Sequence, residues 1–120
     1  MEWKDEYEEI LDEKNVNIID EYKQGEETYL ELQFYTNAGE DFSFTVSKEN
    51  FVNDVFRYSE EFDPEEHAEM WVEAKHDRSR NRTDIPHVFT LVEDAKWIQS
   101  FLKEIAEKVR DRRNELCTSL

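Results

Sequence analysis

The sequence predicts an α+β domain: an N-terminal helix, a three-stranded antiparallel meander, then three helices packed on one face of the sheet. Apolar residues recur at helical spacing near the start of the chain and again from residue 51 to 109. Between them, residues 28–46 alternate apolar and polar around Asn37-Ala38-Gly39-Glu40, the pattern of a hairpin. At 120 residues the chain is expected to form a single domain, with three Trp, five Tyr and eight Phe to fill its core.

Trp3, Tyr7, Ile10 and Leu11 fall on one face of a short amphipathic helix, with Glu2, Asp5, Glu6, Glu9, Asp12 and Glu13 on the rest. Val16, Ile18, Asp20 and Tyr22 then alternate with Asn17, Ile19 and Glu21 up to Gln24-Gly25, which predicts a strand entering a turn. In the hairpin, Leu30, Leu32 and Phe34 share a face of one strand, and Phe42, Phe44 and Val46 share a face of the next. Such a meander has one wet face and needs helices on the other.

Ser47 offers a cap for a helix carrying Phe51, Val52, Val55, Phe56 and Phe62. Asp63-Pro64-Glu65-Glu66 restarts a helix: Asp caps, Pro occupies the first position, and Glu66 can close a capping box. His67, Met70, Trp71 and Ala74 are expected to form its inward stripe, and Lys75 to Asp84 a loop that Ile85-Pro86 keeps extended. Thr90 to Glu93 reads as a second capping box, opening a long helix with the stripe Leu91, Ala95, Ile98, Leu102, Ile105 and Val109. Lys108, Arg110, Arg112 and Arg113 suit the negative end of that helix.

The net charge of −16 is unevenly placed. Residues 1–73 hold 23 acidic and 5 basic side chains, a net −18, whereas residues 74–120 hold 8 and 10, a net +2. Long-range repulsion disfavours direct binding to nucleic acid or an anionic membrane and favours a basic protein partner. The lone Cys117 offers no internal disulfide or thiolate cage, and neither a signal-like start nor a long apolar run is present. A cytoplasmic, non-membrane protein is expected, either a monomer or a homodimer.

Signals for chemistry are sparse. Glu73 and His76 have the Glu-x-x-His spacing, and with His67 and Glu69 they define the alternative of a small metal-dependent enzyme. A di-iron bundle needs two such motifs, and the chain has one. Glu73-Ala74-Lys75 also matches the end of a nuclease pattern, with Asp54 or Asp63 as the first carboxylate, but on a helix those side chains diverge. With only Gly25 and Gly39 in the chain, no loop can cradle phosphate, and no Ser or Cys stands in a nucleophile context. The expectation is therefore no catalytic residue, no metal and no cofactor. Lys75, Arg78, Arg80 and Arg82 form a basic loop that either neutralises nearby carboxylates or grips an anionic group.

The expected partner-binding residues are acidic. Asp5, Glu6, Glu9 and Glu13 make one set, and Glu60, Glu61, Asp63, Glu65, Glu66 and Glu69 make another. Carboxylates one helical turn apart are separated by about 6 Å, comparable to successive phosphates of a nucleic-acid strand. A folded face of this kind can imitate DNA, although a surface tuned for solubility carries the same charges. A third possibility is an accessory dimerisation module that uses Trp71, Trp97 or Phe101.

From Phe34 to Val109, the segments FYTNAGEDFSF, FDPEEHAEMWVEA, the IP pair and LVEDAKWIQSFLKEIAEKV resemble a family of small acidic proteins of gut bacteria, their phages and mobile elements. The basic stretch HDRSRNR is longer than the connection usual in that family. The order of elements, with its acidity, is also similar to small anti-CRISPR proteins that occupy the DNA-binding groove of a Cas nuclease. Those likenesses imply a phage or mobile-element inhibitor of a bacterial defence nuclease, acting as a DNA mimic.

Overall fold

The computed structural model describes the backbone of residues 3–78 and 88–118 and the side chains of residues 3–71 and 91–116. Its elements run α1 (Asp5–Glu13), β1 (Asn17–Gln24), β2 (Glu27–Tyr35), β3 (Asp41–Ser47), α2 (Phe51–Glu61), α3 (Pro64–Arg78) and α4 (Val88–Thr118). The three strands form one antiparallel sheet in the order β1-β2-β3. This is the α+β architecture expected from the periodicities.

Helix α1 ends in a motif that the sequence reading did not anticipate. Asn15 takes a left-handed conformation at φ 59°. The Val16 N–H donates to the Leu11 carbonyl at 2.8 Å and the Asn15 N–H to the Asp12 carbonyl at 3.1 Å. That is a Schellman cap, completed by burial of both Val16 and Leu11. It reverses the chain into β1.

Strand β1 departs from simple alternation because the register shifts between Ile18 and Asp20. A bulge at this point inserts one residue and exchanges the faces of everything that follows. Ile18 lies opposite Leu32 on the core side, whereas Asp20 and Tyr22 lie opposite Glu31 and Tyr29 on the wet side. Every residue of β1 is exposed, so the strand extends past the area the helices cover. The β1–β2 turn needs Gly25, whose φ is +66°; Glu26 beside it does not take a positive φ, as a type II′ turn requires.

The β2–β3 ladder pairs Leu30 with Val46, Leu32 with Phe44, and Phe34 with Phe42, which places all six side chains on the core face. Tyr7, Leu11, Phe51, Val52 and Val55 join them from α1 and α2. The α4 stripe of Ile98, Leu102, Ile105 and Val109 closes the core from below. Ring contacts knit the layers together: Phe34 meets Phe101 at 4.6 Å, Phe44 stacks on Tyr58 at 4.8 Å, and Tyr7 stacks on Phe51 at 5.4 Å. Trp97 and Phe101 stack at 4.9 Å and are partly buried against this core.

Several local expectations are corrected. Asn50, not Ser47, occupies the N-cap position of α2; the Ser47 hydroxyl instead accepts the Asn50 N–H at 3.0 Å. Helix α3 continues to Arg78, so Lys75 and Arg78 belong to its backbone and not to a loop. Helix α4 begins at Val88, which places Thr90 inside the first turn and not at the cap. Met70 is 63% exposed, because α3 meets α4 through Ala68 and Trp71, and Met70 lies about 200° around the helix from Ala68. Among the described residues, no helix is long and apolar enough to cross a membrane.

Candidate functional site

The junction of α2 and α3 gathers more of the acidic candidates than any other part of the described fold. Helix α2 stops at Glu61, Phe62 turns extended, and Asp63 caps α3. One Asp63 carboxylate oxygen accepts the N–H groups of Glu65 at 3.0 Å and Glu66 at 3.3 Å. Pro64 is the first helical residue, where its missing N–H costs nothing. Two rigid helices therefore meet at an angle fixed by this cap, and a cleft of about 360 Å³ opens between them.

Glu61, Asp63 and Glu66 rim this cleft, while Tyr58, Phe62, His67 and Met70 supply its apolar lining. Phe62 and His67 lie 5.3 Å apart; His67 also contacts Phe42 at 5.5 Å and Trp71 at 6.2 Å. Burial holds the His67 pKa below its ordinary value of 6.5, opposed by the negative charge of Asp94. Its imidazole is thus neutral at pH 7. Burial likewise raises the Tyr58 pKa above 10.0, so its phenol keeps its proton.

Glu60 and Glu61 stand at the C-terminal end of α2, where the helix dipole disfavours negative charge, and the last turn contains no basic residue. They diverge from there. Glu60 lines a second cleft with Arg57, Arg110 and Arg113, between α2 and α4, while Glu61 faces the first. Glu65, Glu66 and Glu69 are exposed on α3, the first two at the helix end whose dipole favours them.

The α1 set sits elsewhere. Tyr7 stacks on Phe51 at the start of α2, so Asp5 and Glu6 lie near the opposite end of that 11-residue helix from Glu60 and Glu61, about 16 Å along its axis. Asp5, Glu9 and Glu13 are exposed and Glu6 is half-buried. Asp5 and Glu6 lie in the first turn of α1, where the dipole stabilises them.

The described ion pairs leave both acidic sets untouched. Lys14 pairs with Glu104, Lys48 with Glu21, Arg57 with Asp54, Arg110 with Asp111, and Arg112 with Glu115. None of the candidate carboxylates forms an ion pair among the described residues, although Glu60 shares its cleft with three arginines.

Among the described residues, no three His, Cys, Asp or Glu side chains converge on a point that could hold a metal ion. Of the alternative metal set, His67 and Glu69 are described, and they point about 200° apart around α3. The side chains of Glu73 and His76 lie outside the described residues, as do those of Lys75 and Arg78; Arg80 and Arg82 lie outside them altogether.

Asp94 is a site residue that the sequence reading missed. It is buried on α4 and accepts the Ala38 N–H at 2.9 Å, fastening the β2–β3 loop to the helix beneath it. A carboxylate three residues after Leu91 and one before Ala95, inside an apolar stripe, was the available signal.

Fold and site together define a small acidic α+β protein whose concave, aromatic-lined feature carries negative charge at its rim. No family model, curated protein or solved structure matches the chain. The functional reading accordingly stands on the residues themselves.

Proposed function

We propose that this is a non-enzymatic binding protein whose acidic surface docks on the basic nucleic-acid-binding groove of a protein, of the kind a bacterial defence nuclease presents. Its carboxylates take the place of phosphates, and binding competes with DNA. One observation supports this above the others: Glu61, Asp63, Glu65, Glu66 and Glu69 are exposed and form no ion pair with a described residue, while Lys14, Lys48, Arg57, Arg110 and Arg112 pair with other acids. Placing Glu61 at the unfavourable end of α2 costs stability that a partner's arginine or lysine would return. Glu65, Glu66 and Glu69 extend the same charge along a capped helix. The association is steered by charge, so it weakens as salt rises.

The test is capture of partners on the immobilised protein at increasing salt, followed by competition of the captured protein with duplex DNA. The reading predicts a nucleic-acid-binding protein that is retained at low salt, released at high salt and displaced by DNA. Retention of no basic protein at low salt, or retention indifferent to DNA, contradicts it.

A further inference from the structure

Resting on the reading that the acidic surface meets a basic protein, we propose that the α2–α3 cleft is a socket for one arginine side chain of that partner. The cleft holds about 360 Å³, at the small end of the range for ligand pockets and suited to one long side chain. Its rim offers Glu61, Asp63 and Glu66, while Phe62, His67 and Met70 present apolar and ring surface within. No lysine or arginine is among the described residues that line it.

Three features select guanidinium over other cations. The carboxylates border the cleft without converging on a point, which disfavours a small metal ion and leaves room for a planar group between them. A guanidinium stacks on rings and is less strongly hydrated than an ammonium, so it loses less on entering an aromatic-lined space. Glu61 also lies at the negative end of the α2 dipole, which adds to the attraction for a positive group seated there. His67 is neutral at pH 7 and adds no opposing charge. Met70, 63% exposed at the cleft, supplies a polarisable surface for the methylene stem.

The experiment uses the full chain labelled with nitrogen-15, titrated at low salt with the tripeptides Gly-Arg-Gly, Gly-Lys-Gly and Gly-citrulline-Gly. The socket predicts saturable amide shifts centred on Glu61, Phe62, Glu66, His67 and Met70 with the arginine peptide, weaker ones with lysine and none with uncharged citrulline. The double substitution Glu61→Gln and Glu66→Gln is expected to weaken arginine binding about tenfold, or about 1.4 kcal/mol. Glu8→Gln with Asp12→Asn on α1 should leave it unchanged. The citrulline comparison requires no variant, so it stands even if the double variant is unstable.

Equal responses to arginine and lysine, or shifts spread evenly over all acidic elements, overturn the socket while leaving the acidic docking surface in place. If no cationic peptide shifts any resonance and no basic protein is retained at low salt, both readings fail.

Discussion

Replacing Glu61 by Gln should make the protein more stable. Glu61 is exposed in the last turn of α2, where no basic residue offsets the dipole, and it forms no ion pair with a described residue. A carboxylate at a helix C-terminus is unfavourable by about 0.3–1 kcal/mol. Asp63 and Glu66 share the cleft with Glu61 and add like-charge repulsion, while Arg57, one helical turn before it on α2, offsets part of that. The substitution is therefore expected to raise stability by about 0.5–1 kcal/mol, or a few degrees in melting temperature for a domain of this size. Urea denaturation at low salt measures the change, and the gain should shrink in about 1 M salt, where the screening length falls to roughly 3 Å. A loss of stability, or a gain that ignores salt, would show that Glu61 makes a favourable internal contact and is not held in place for a partner.

Other consequences follow from the core and its polar ties. Asp94→Ala leaves the Ala38 N–H without its acceptor in a part-buried site and should cost about 1–3 kcal/mol in urea denaturation, whereas Asp94→Asn, which keeps an acceptor, should cost less. Leu102→Ala empties a fully buried position between sheet and helices, and a loss of about 2–5 kcal/mol is expected in the same assay. Because the His67 pKa is lowered in the folded state, the unfolded chain takes up the proton first on acidification. The stability that neutral His67 provides is fully present above pH 6.5 and is lost as pH falls below it. Thermal melts between pH 7.5 and about 5.5 should show that decline, and His67→Gln should flatten it.

The hairpin and the α4 stripe were legible because a single periodicity decides each: Leu30, Leu32 and Phe34 face the core as alternation dictates, and Leu91 through Val109 follow helical spacing. Strand β1 was harder, since the bulge at Ile19 reverses the face of Asp20 and Tyr22, and one extra residue leaves no mark in composition. The Asp63 cap is legible in Asp-Pro-Glu-Glu, but the sequence does not decide between Ser47 and Asn50, three residues later, as the cap of α2, because both suit the position. Asp94 was hidden by abundance, being one acid in a chain where Asp and Glu number 31. The cleft itself was beyond sequence reading. Tyr58 and Glu61 on α2 meet His67 and Met70 on α3 only through the angle that Phe62 and Asp63 set between the helices, and neither periodicity nor charge count encodes that angle.

On the proposed function, the position of the α2–α3 carboxylates, beyond their contribution to net charge, recruits a basic partner. Charge reversal of Glu61, Glu66 and Glu69 to Lys, set against reversal of Glu8, Asp12 and Glu107 to Lys, separates the two because both variants change net charge equally and all six residues are exposed. The account predicts that partner capture at low salt is lost with the first triple variant and largely kept with the second. Equal loss in both, or retention in both, would contradict it.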